Sequence, residues 1–374
     1  MEWYQAVIVF CVAFAVTCCM VPVSKWIAVK IGAIDYPGNR RVNVDSVPRC
    51  GGIALYAGLL AACFSIYLGV RFFDWNMHDL YILGDINYVM LFLGITAMFT
   101  VGLVDDITQL SPGVKLFGQV VAATVVVLSG ISIGAVRAMA IGDYFSFGWL
   151  DYPLTILYLV VFVNITNLID GLDGLASGLV AIASSSLLYL VWMRGSFTLV
   201  LVCIALIAVC LAFLRFNFFP ASVFMGDSGS HLLGLAVGIV SVVGVVRTQS
   251  FVVMLVPLII AGVPVLDTVS AIVRRKRVHV PVDQADLGHI HHRLMRAGLS
   301  QKRSVAVLWL CSAALALTGC LMGSFSGVVQ GAIMVALAIV LFFVIWKFGL
   351  FKPVLRHHYD NKGRRGPRVP RHTR

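Results

Sequence analysis

About eleven apolar runs, each long enough to cross a bilayer and separated by short polar connections, dominate this chain. They fall at roughly residues 4–23, 51–70, 88–104, 116–136, 152–169, 174–193, 197–214, 231–246, 251–271, 304–323 and 327–346. Hydrophobic residues make up 60% of 374 positions, more apolar surface than a water-soluble protein of this length can hide. In lipid, only helices and closed barrels satisfy every backbone polar group, and the runs lack the two-residue alternation of a membrane barrel. The expected fold is therefore all-α, a polytopic integral membrane protein of about eleven transmembrane helices. No internal repeat or linker divides it. Residues 1–346 read as one polytopic domain, and 347–374 as a basic Pro/Gly/Arg-rich tail expected to be disordered.

Basic residues orient the chain. With eleven crossings the termini lie on opposite sides. Of the 28 Lys and Arg residues, only Arg71, Arg137, Arg194 and Arg247 fall on the side of the N-terminus. The rest lie in residues 24–50, at Lys115 and Arg215, in residues 272–303 and in the tail. The positive-inside rule puts that side, with the C-terminus, in the cytoplasm and the N-terminus outside. The first run lacks a basic start and a small-residue cleavage site, so it reads as an uncleaved anchor. The +11 net charge thus belongs to one membrane face, where it meets anionic headgroups rather than nucleic acid. The nine cysteines mostly fall inside apolar runs without a CxxC pair, and read as small buried residues.

Five aspartates punctuate the cytoplasmic ends of these runs: Asp105, Asp106, Asp170, Asp173 and Asp227. Carboxylates are costly beside hydrocarbon and generally have a function there. Alone, each has a bland explanation as a solvated loop acid or a helix cap. Together, on one face, they point to a cation and a phosphate-bearing substrate. Asp105-Asp106 is a repelling pair, followed ten residues later by Lys115, a point charge for phosphate. Asn164, Asn167 and Asp170 recur every three residues near one face of a helix end, and Asp170-Gly and Asp173-Gly allow tight turns. Amide and carboxylate oxygens are the hard ligands Mg²⁺ takes. Gly226-Asp227-Ser228-Gly229-Ser230 leads into an apolar run, where free helix amides favour anions. His289-Ile-His291-His292-Arg293 lies in an Arg-rich loop. With no thiolate nearby, it suits hydrogen bonding to phosphate and sugar better than zinc. Asp267, inside an apolar run seven residues before Arg274, reads equally as a structural ion pair. There is no Walker loop, dinucleotide-binding glycine motif or HExxH.

These stretches, with Pro48-Arg49-Cys50-Gly51-Gly52 and Phe224-Met-Gly-Asp227-Ser-Gly-Ser, resemble the polyprenyl-phosphate N-acetylhexosamine-1-phosphate transferases from about Asp35 to Arg303. The His-x-His-His-Arg form resembles the branch using UDP-N-acetylglucosamine, which initiates O-antigen and other lipopolysaccharide glycans, enterobacterial common antigen, teichoic acid or arabinogalactan linkage. The first loop departs from the pattern: a histidine often follows its basic pair, whereas this chain has Arg40-Arg41-Val42-Asn43.

The resemblance implies that Asp227 and Asn167 hold Mg²⁺, with Mn²⁺ as a substitute. It implies that Lys115 contacts the pyrophosphate, that Phe224 stacks on uracil, and that Asn164 and Asn217 line the substrate site, Asn217 near the nucleoside. His289, His291, His292 and Arg293 would read the sugar and its phosphates. Asp105 and Asp106 would lie where the lipid phosphate attacks, with Asp170 and Asp173 beside them in the catalytic group. The expected partners are UDP-N-acetylglucosamine, undecaprenyl phosphate and membrane lipids, with a second copy of the chain as a homodimer and the bacterial inner membrane as the location. The competing readings are the same reaction with UDP-GalNAc, UDP-QuiNAc or UDP-MurNAc-pentapeptide, a lipid-binding scaffold, and a secondary transporter. The last would show paired repeats and charges near mid-bilayer.

Overall fold

The computed structural model describes residues 2–36, 46–75, 86–137, 144–244, 290–296, 298–322 and 327–348, with isolated positions between 266 and 276. The described residues are helical nearly throughout. Its long helices are α1 (Trp3–Ile31), α2 (Gly52–Phe72), α3 (Tyr88–Thr108), α4 (Pro112–Leu128), α5 (Asp151–Ile169), α6 (Leu175–Trp192), α7 (Phe197–Asn217) and α8 (Gly226–Gly244). A short α9 (Ile290–Arg296) precedes α10 (Gln301–Met322) and α11 (Gly327–Phe348). Among the described residues, eight helices are long and apolar enough to span a membrane, α4 being shorter. The protein is a polytopic α-helical membrane protein. Ten of the expected runs coincide with helices. Most of the run at 251–271, the pair Asp267 and Arg274, the basic pair Arg40-Arg41 and most of the tail lie outside the described residues.

Several helices outrun their apolar stretches. α3 continues through Asp105 and Asp106 to Thr108, and α8 begins at Gly226 rather than near 231. The acids expected in loops are therefore on helical turns, where their side chains find buried partners. α4 is displaced the other way. Pro112, whose fixed φ suits the first turn, starts it early. Ser129, bonded through Oγ to the Val126 carbonyl, and Gly130, at φ +103°, end it well before 136.

α8 is the central post. The share of its most apolar stretch that is buried is 83%, against 22% for α1, so α8 is wrapped by protein and α1 lies on the outside of the bundle. α3 and α5 pack along α8, α4 lies against α3 and α5, and α6 pairs with α7. Small residues permit these approaches, as is usual where helices meet in lipid. A Cβ on Gly234 would stand 2.8 Å from the Phe162 carbonyl oxygen on α5, and one on Gly102 would stand 2.4 Å from the Asp227 carbonyl oxygen.

Two small antiparallel pairs close opposite ends. β1 (Ile34–Asp35) pairs with β2 (Val47–Pro48), Ile34 opposite Pro48. β3 (Ala135–Arg137) pairs with β4 (Tyr144–Ser146), Val136 opposite Phe145. Asp151, at the start of α5, is not simply solvated. Its carboxylate accepts the Gly134 N–H at 2.9 Å and ties the α4–α5 connection to α5.

The ends of α3, α5 and α7 meet the beginnings of α4, α6 and α8. If this end is cytoplasmic, a cysteine replacing exposed Thr108 in a cysteine-depleted background labels only from the cytoplasm, and one replacing exposed Trp149 labels only from outside. Labelling of both from one side would overturn the orientation.

Candidate active site

Four helix ends converge on the ammonium of Lys115, in the first turn of α4. It bonds to Asp105 Oδ2 of α3 at 3.1 Å, to Asn167 Oδ1 of α5 at 3.3 Å and, more closely, to Asp227 Oδ2 of α8. Asn167 donates through Nδ2 to Asp227 Oδ1 at 2.6 Å and to Ser230 Oγ at 3.1 Å. Leu110 N–H donates to Asp105 Oδ1 at 2.7 Å, which fixes that carboxylate. Two carboxylates and one ammonium leave the cluster with a net negative charge. Three oxygens from three helices already surround a cation here, so the donor set fits a hard divalent ion that completes its shell with water and phosphate oxygens.

Asp106 has a different task. Adjacent residues on a helix point about 100° apart, and Asp106 turns away from Lys115. Its carboxylate accepts the Asp227 N–H at 2.7 Å, the Ser228 N–H at 3.0 Å and the Ser228 hydroxyl at 2.6 Å. Arg49 Nη2 lies 3.3 Å from the same group. The free amides at the start of α8, offered by the sequence to a phosphate, are therefore filled by Asp106. This supplies an internal anion for the helix dipole.

The Pro48–Gly52 stretch straps this helix start. Phe224 N–H donates to the Pro48 carbonyl at 2.8 Å, Gly51 N–H to the Phe224 carbonyl at 3.0 Å, and Gly52 N–H to the Met225 carbonyl at 2.9 Å. A Cβ on Gly52 would lie 2.3 Å from the Gly229 nitrogen, so only glycine fits. Gly226 has φ +71°, and a Cβ there would meet the Arg49 carbonyl oxygen and the Asp106 carboxylate. Phe224 is half-buried on this strap.

The remaining expected residues separate into groups. Asp170 follows α5 and is enclosed by neighbouring protein, its rim meeting solvent. Burial, and then the carboxylates of Asp227, Asp106 and Asp173, push it up to about 8 from 3.8. Between about pH 4 and 8 the folded protein thus holds a proton that the unfolded chain has already released, so this group makes stability fall as pH rises through that window. Asp170→Asn removes the effect. In chelator, its melting temperature relative to the parent should climb from pH 5 to 8, and a constant difference would contradict the assignment.

Asp173 is raised by burial, opposed by the Ala221 N–H, which donates at 2.9 Å, and by a bond to Gln301 at the start of α10. It braces a loop outside the Lys115 cluster. Asn217 is buried, with both ends of its amide bonded. Oδ1 accepts the Gly174 N–H at 3.0 Å and the Ser177 hydroxyl at 3.3 Å, while Nδ2 donates to the Val223 carbonyl at 2.9 Å. It holds the α6 and α8 approaches together. Asn164 donates to Gln119 Oε1 at 2.7 Å and to the Val160 carbonyl at 2.9 Å, one turn beneath Asn167.

Arg293 is half-buried on α9, which packs against the core through Ile290, Leu294 and Met295. His289 and the side chains of His291 and His292 lie outside the described residues. Gln119 and His231, both fully buried, carry no motif in the sequence. Their one signal is spacing, four residues after Lys115 and Asp227 respectively.

Residues 88–245, which span α3 to α8, match the glycosyl transferase family 4 model. A Bacillus subtilis (strain 168) protein named a probable undecaprenyl-phosphate N-acetylglucosaminyl 1-phosphate transferase is 36% identical over 308 residues, 82% of each chain. A Mycolicibacterium smegmatis decaprenyl-phosphate N-acetylglucosaminephosphotransferase is 33% identical, with 76% of this chain and 74% of its own covered. An Escherichia coli (strain K12) undecaprenyl-phosphate alpha-N-acetylglucosaminyl 1-phosphate transferase is 28% identical, with 91% of this chain and 92% of its own covered.

Proposed function

Since this chain belongs to the polyprenyl-phosphate N-acetylhexosamine-1-phosphate transferase family, a group of membrane phosphotransferases acting on polyprenyl phosphates, we propose that it moves GlcNAc-1-phosphate from UDP-GlcNAc to undecaprenyl phosphate. The observation that carries this reading is the Lys115 ammonium ringed by Asp105, Asn167 and Asp227 where helix ends meet. One substrate is a water-soluble nucleotide and the other a phosphate on a long apolar chain. A polar cluster at the membrane boundary can be reached by both. The GlcNAc branch is supported by the His-x-His-His-Arg form and by the names of the relatives. Undecaprenol is the acceptor named for the Bacillus and Escherichia relatives, and decaprenol for the mycobacterial one.

In the proposed reaction, an oxygen of the lipid phosphate attacks the β-phosphorus of UDP-GlcNAc. The bond from that phosphorus to the bridging oxygen breaks, and UMP leaves with the oxygen. The products are UMP and GlcNAc-pyrophosphoryl-undecaprenol, the first lipid intermediate of a cell-surface glycan. Such transfer depends mainly on positioning and charge neutralisation. Mg²⁺, or Mn²⁺ in its place, held by Asp227 and Asn167, would supply the positive charge that lets two anionic substrates meet beside carboxylates. Lys115 reaches the pyrophosphate, and Arg293 adds charge from the sugar-reading loop. A phosphate monoester has its second pKa near about 6, so the acceptor is already largely a dianion. Asp105 therefore orients it more than it removes a proton. Direct in-line attack needs no covalent aspartyl intermediate. The site faces the cytoplasm of the bacterial inner membrane, where nucleotide sugars are made.

Purified protein with undecaprenyl phosphate should release UMP from UDP-GlcNAc, lose that activity in EDTA and regain it with Mg²⁺ or Mn²⁺. UMP release from UDP-GalNAc, UDP-QuiNAc or UDP-MurNAc-pentapeptide in preference to UDP-GlcNAc would reassign the donor. Full activity after metal removal would exclude the cation's role.

A further inference from the structure

Directly beneath the Lys115 cluster lies a second set of contacts between the same three helices. Gln119 is one turn after Lys115 on α4, His231 one turn after Asp227 on α8, and Asn164 one turn before Asn167 on the oppositely directed α5. Asn164 Nδ2 donates to Gln119 Oε1 at 2.7 Å, and Gln119 Nε2 lies 3.1 Å from His231 Nε2. Gln119 and His231 are wholly buried, and His231 Nδ1 has no partner among the described residues. We infer that Gln119 and His231 are positioning residues for phosphotransfer: the Asn164–Gln119–His231 chain sets the register of α4, α5 and α8 and so places Lys115, Asn167 and Asp227.

The chain has a defined polarity. Asn164 Nδ2 also donates to the Val160 carbonyl of its own helix, at 2.9 Å, so the amide cannot be turned round without setting two oxygens together. That orientation makes Gln119 Oε1 the acceptor and Nε2 the donor. His231 Nε2 must then accept, and the imidazole proton sits on Nδ1. A buried N–H without an acceptor is costly. Merely packing α8 would be served as well by an apolar residue at 231. What the histidine adds is an acceptor at Nε2 aimed at Gln119. Groups that orient the residues holding a reacting centre commonly matter about ten- to a hundredfold without touching it.

This inference rests on the transferase reading of the cluster above. The test compares His231→Phe, which keeps a ring and loses the acceptor, with His231→Gln, whose side-chain oxygen can accept from Gln119. His231→Phe removes one unpaired buried donor and creates another on Gln119, so its melting temperature should stay within a few degrees of the parent. Its kcat for UMP release should fall about ten- to a hundredfold, with KM for UDP-GlcNAc changed less than about threefold. His231→Gln should recover most of the lost kcat. A His231→Phe enzyme with parental kcat, or a His231→Gln enzyme as impaired as His231→Phe, would overturn the inference. Should His231→Phe fail to fold, Gln119→Met decides from the other end of the contact, with the same kcat loss expected and parental kcat contradicting it. Failure of the parent itself to release UMP would count against the transferase reading and not against the relay alone.

Discussion

Asp227→Asn is expected to reduce transfer on the order of a thousandfold or more while leaving the protein folded and membrane-inserted. Asp227 is the meeting point of the cluster: Oδ2 takes the Lys115 ammonium and Oδ1 the Asn167 amide. The substitution keeps shape and removes the charge. It would thereby replace the anionic oxygen proposed to hold a divalent ion with a neutral one and loosen Lys115, two sources of the charge balance that phosphotransfer requires. Its backbone N–H still donates to Asp106, so the start of α8 should remain intact. Mn²⁺ binding followed by calorimetry should weaken in parallel with activity. Retained transfer with unchanged Mn²⁺ affinity would remove Asp227 from the centre.

Asp106→Ala is expected to act on folding instead. The Asp106 side chain is fully buried, and its loss leaves two backbone N–H groups, the Ser228 hydroxyl and the Arg49 guanidinium without their acceptor. Breaking a buried, hydrogen-bonded charge pair costs about 3–5 kcal/mol. The α8 start would lose its cap and the Pro48–Gly52 strap its anchor. The melting temperature should therefore drop steeply in Asp106→Ala and little in Asp105→Asn, whose side chain keeps an oxygen toward Leu110 N–H. Equal stability of the two variants would contradict the division of labour between these neighbours.

That division shows what the chain could and could not disclose. The apolar runs announce the helices because lipid imposes a length and a composition on any span. Their polar ends are less visible, since Asp105 to Thr108 and Gly226 to Ser230 are unlike a span in composition yet continue one. Side chains from three other helices satisfy them there. The residues Lys115, Asn167, Asp105 and Asp227 do come together, as expected from their sharing one membrane face. Direction along a helix turn is what a list of motif residues lacks. It decides that Asp106 faces a helix start, Asn217 a loop and Asp173 the α10 boundary. Gln119 and His231 are not legible in the sequence, because a single polar residue in an apolar run looks incidental until the opposing helix is known.

The most direct measurement of the central claim uses UDP-GlcNAc carrying ³²P only at the β-phosphorus, incubated with purified protein, undecaprenyl phosphate and Mg²⁺. Attack at that phosphorus predicts that the label moves into the organic-extractable lipid in step with unlabelled UMP release, and that both stop when EDTA removes the metal. Label remaining in water-soluble UDP while sugar appears on the lipid would mean transfer of the sugar alone, and would contradict a phosphotransfer centre built around Lys115 and Asp227.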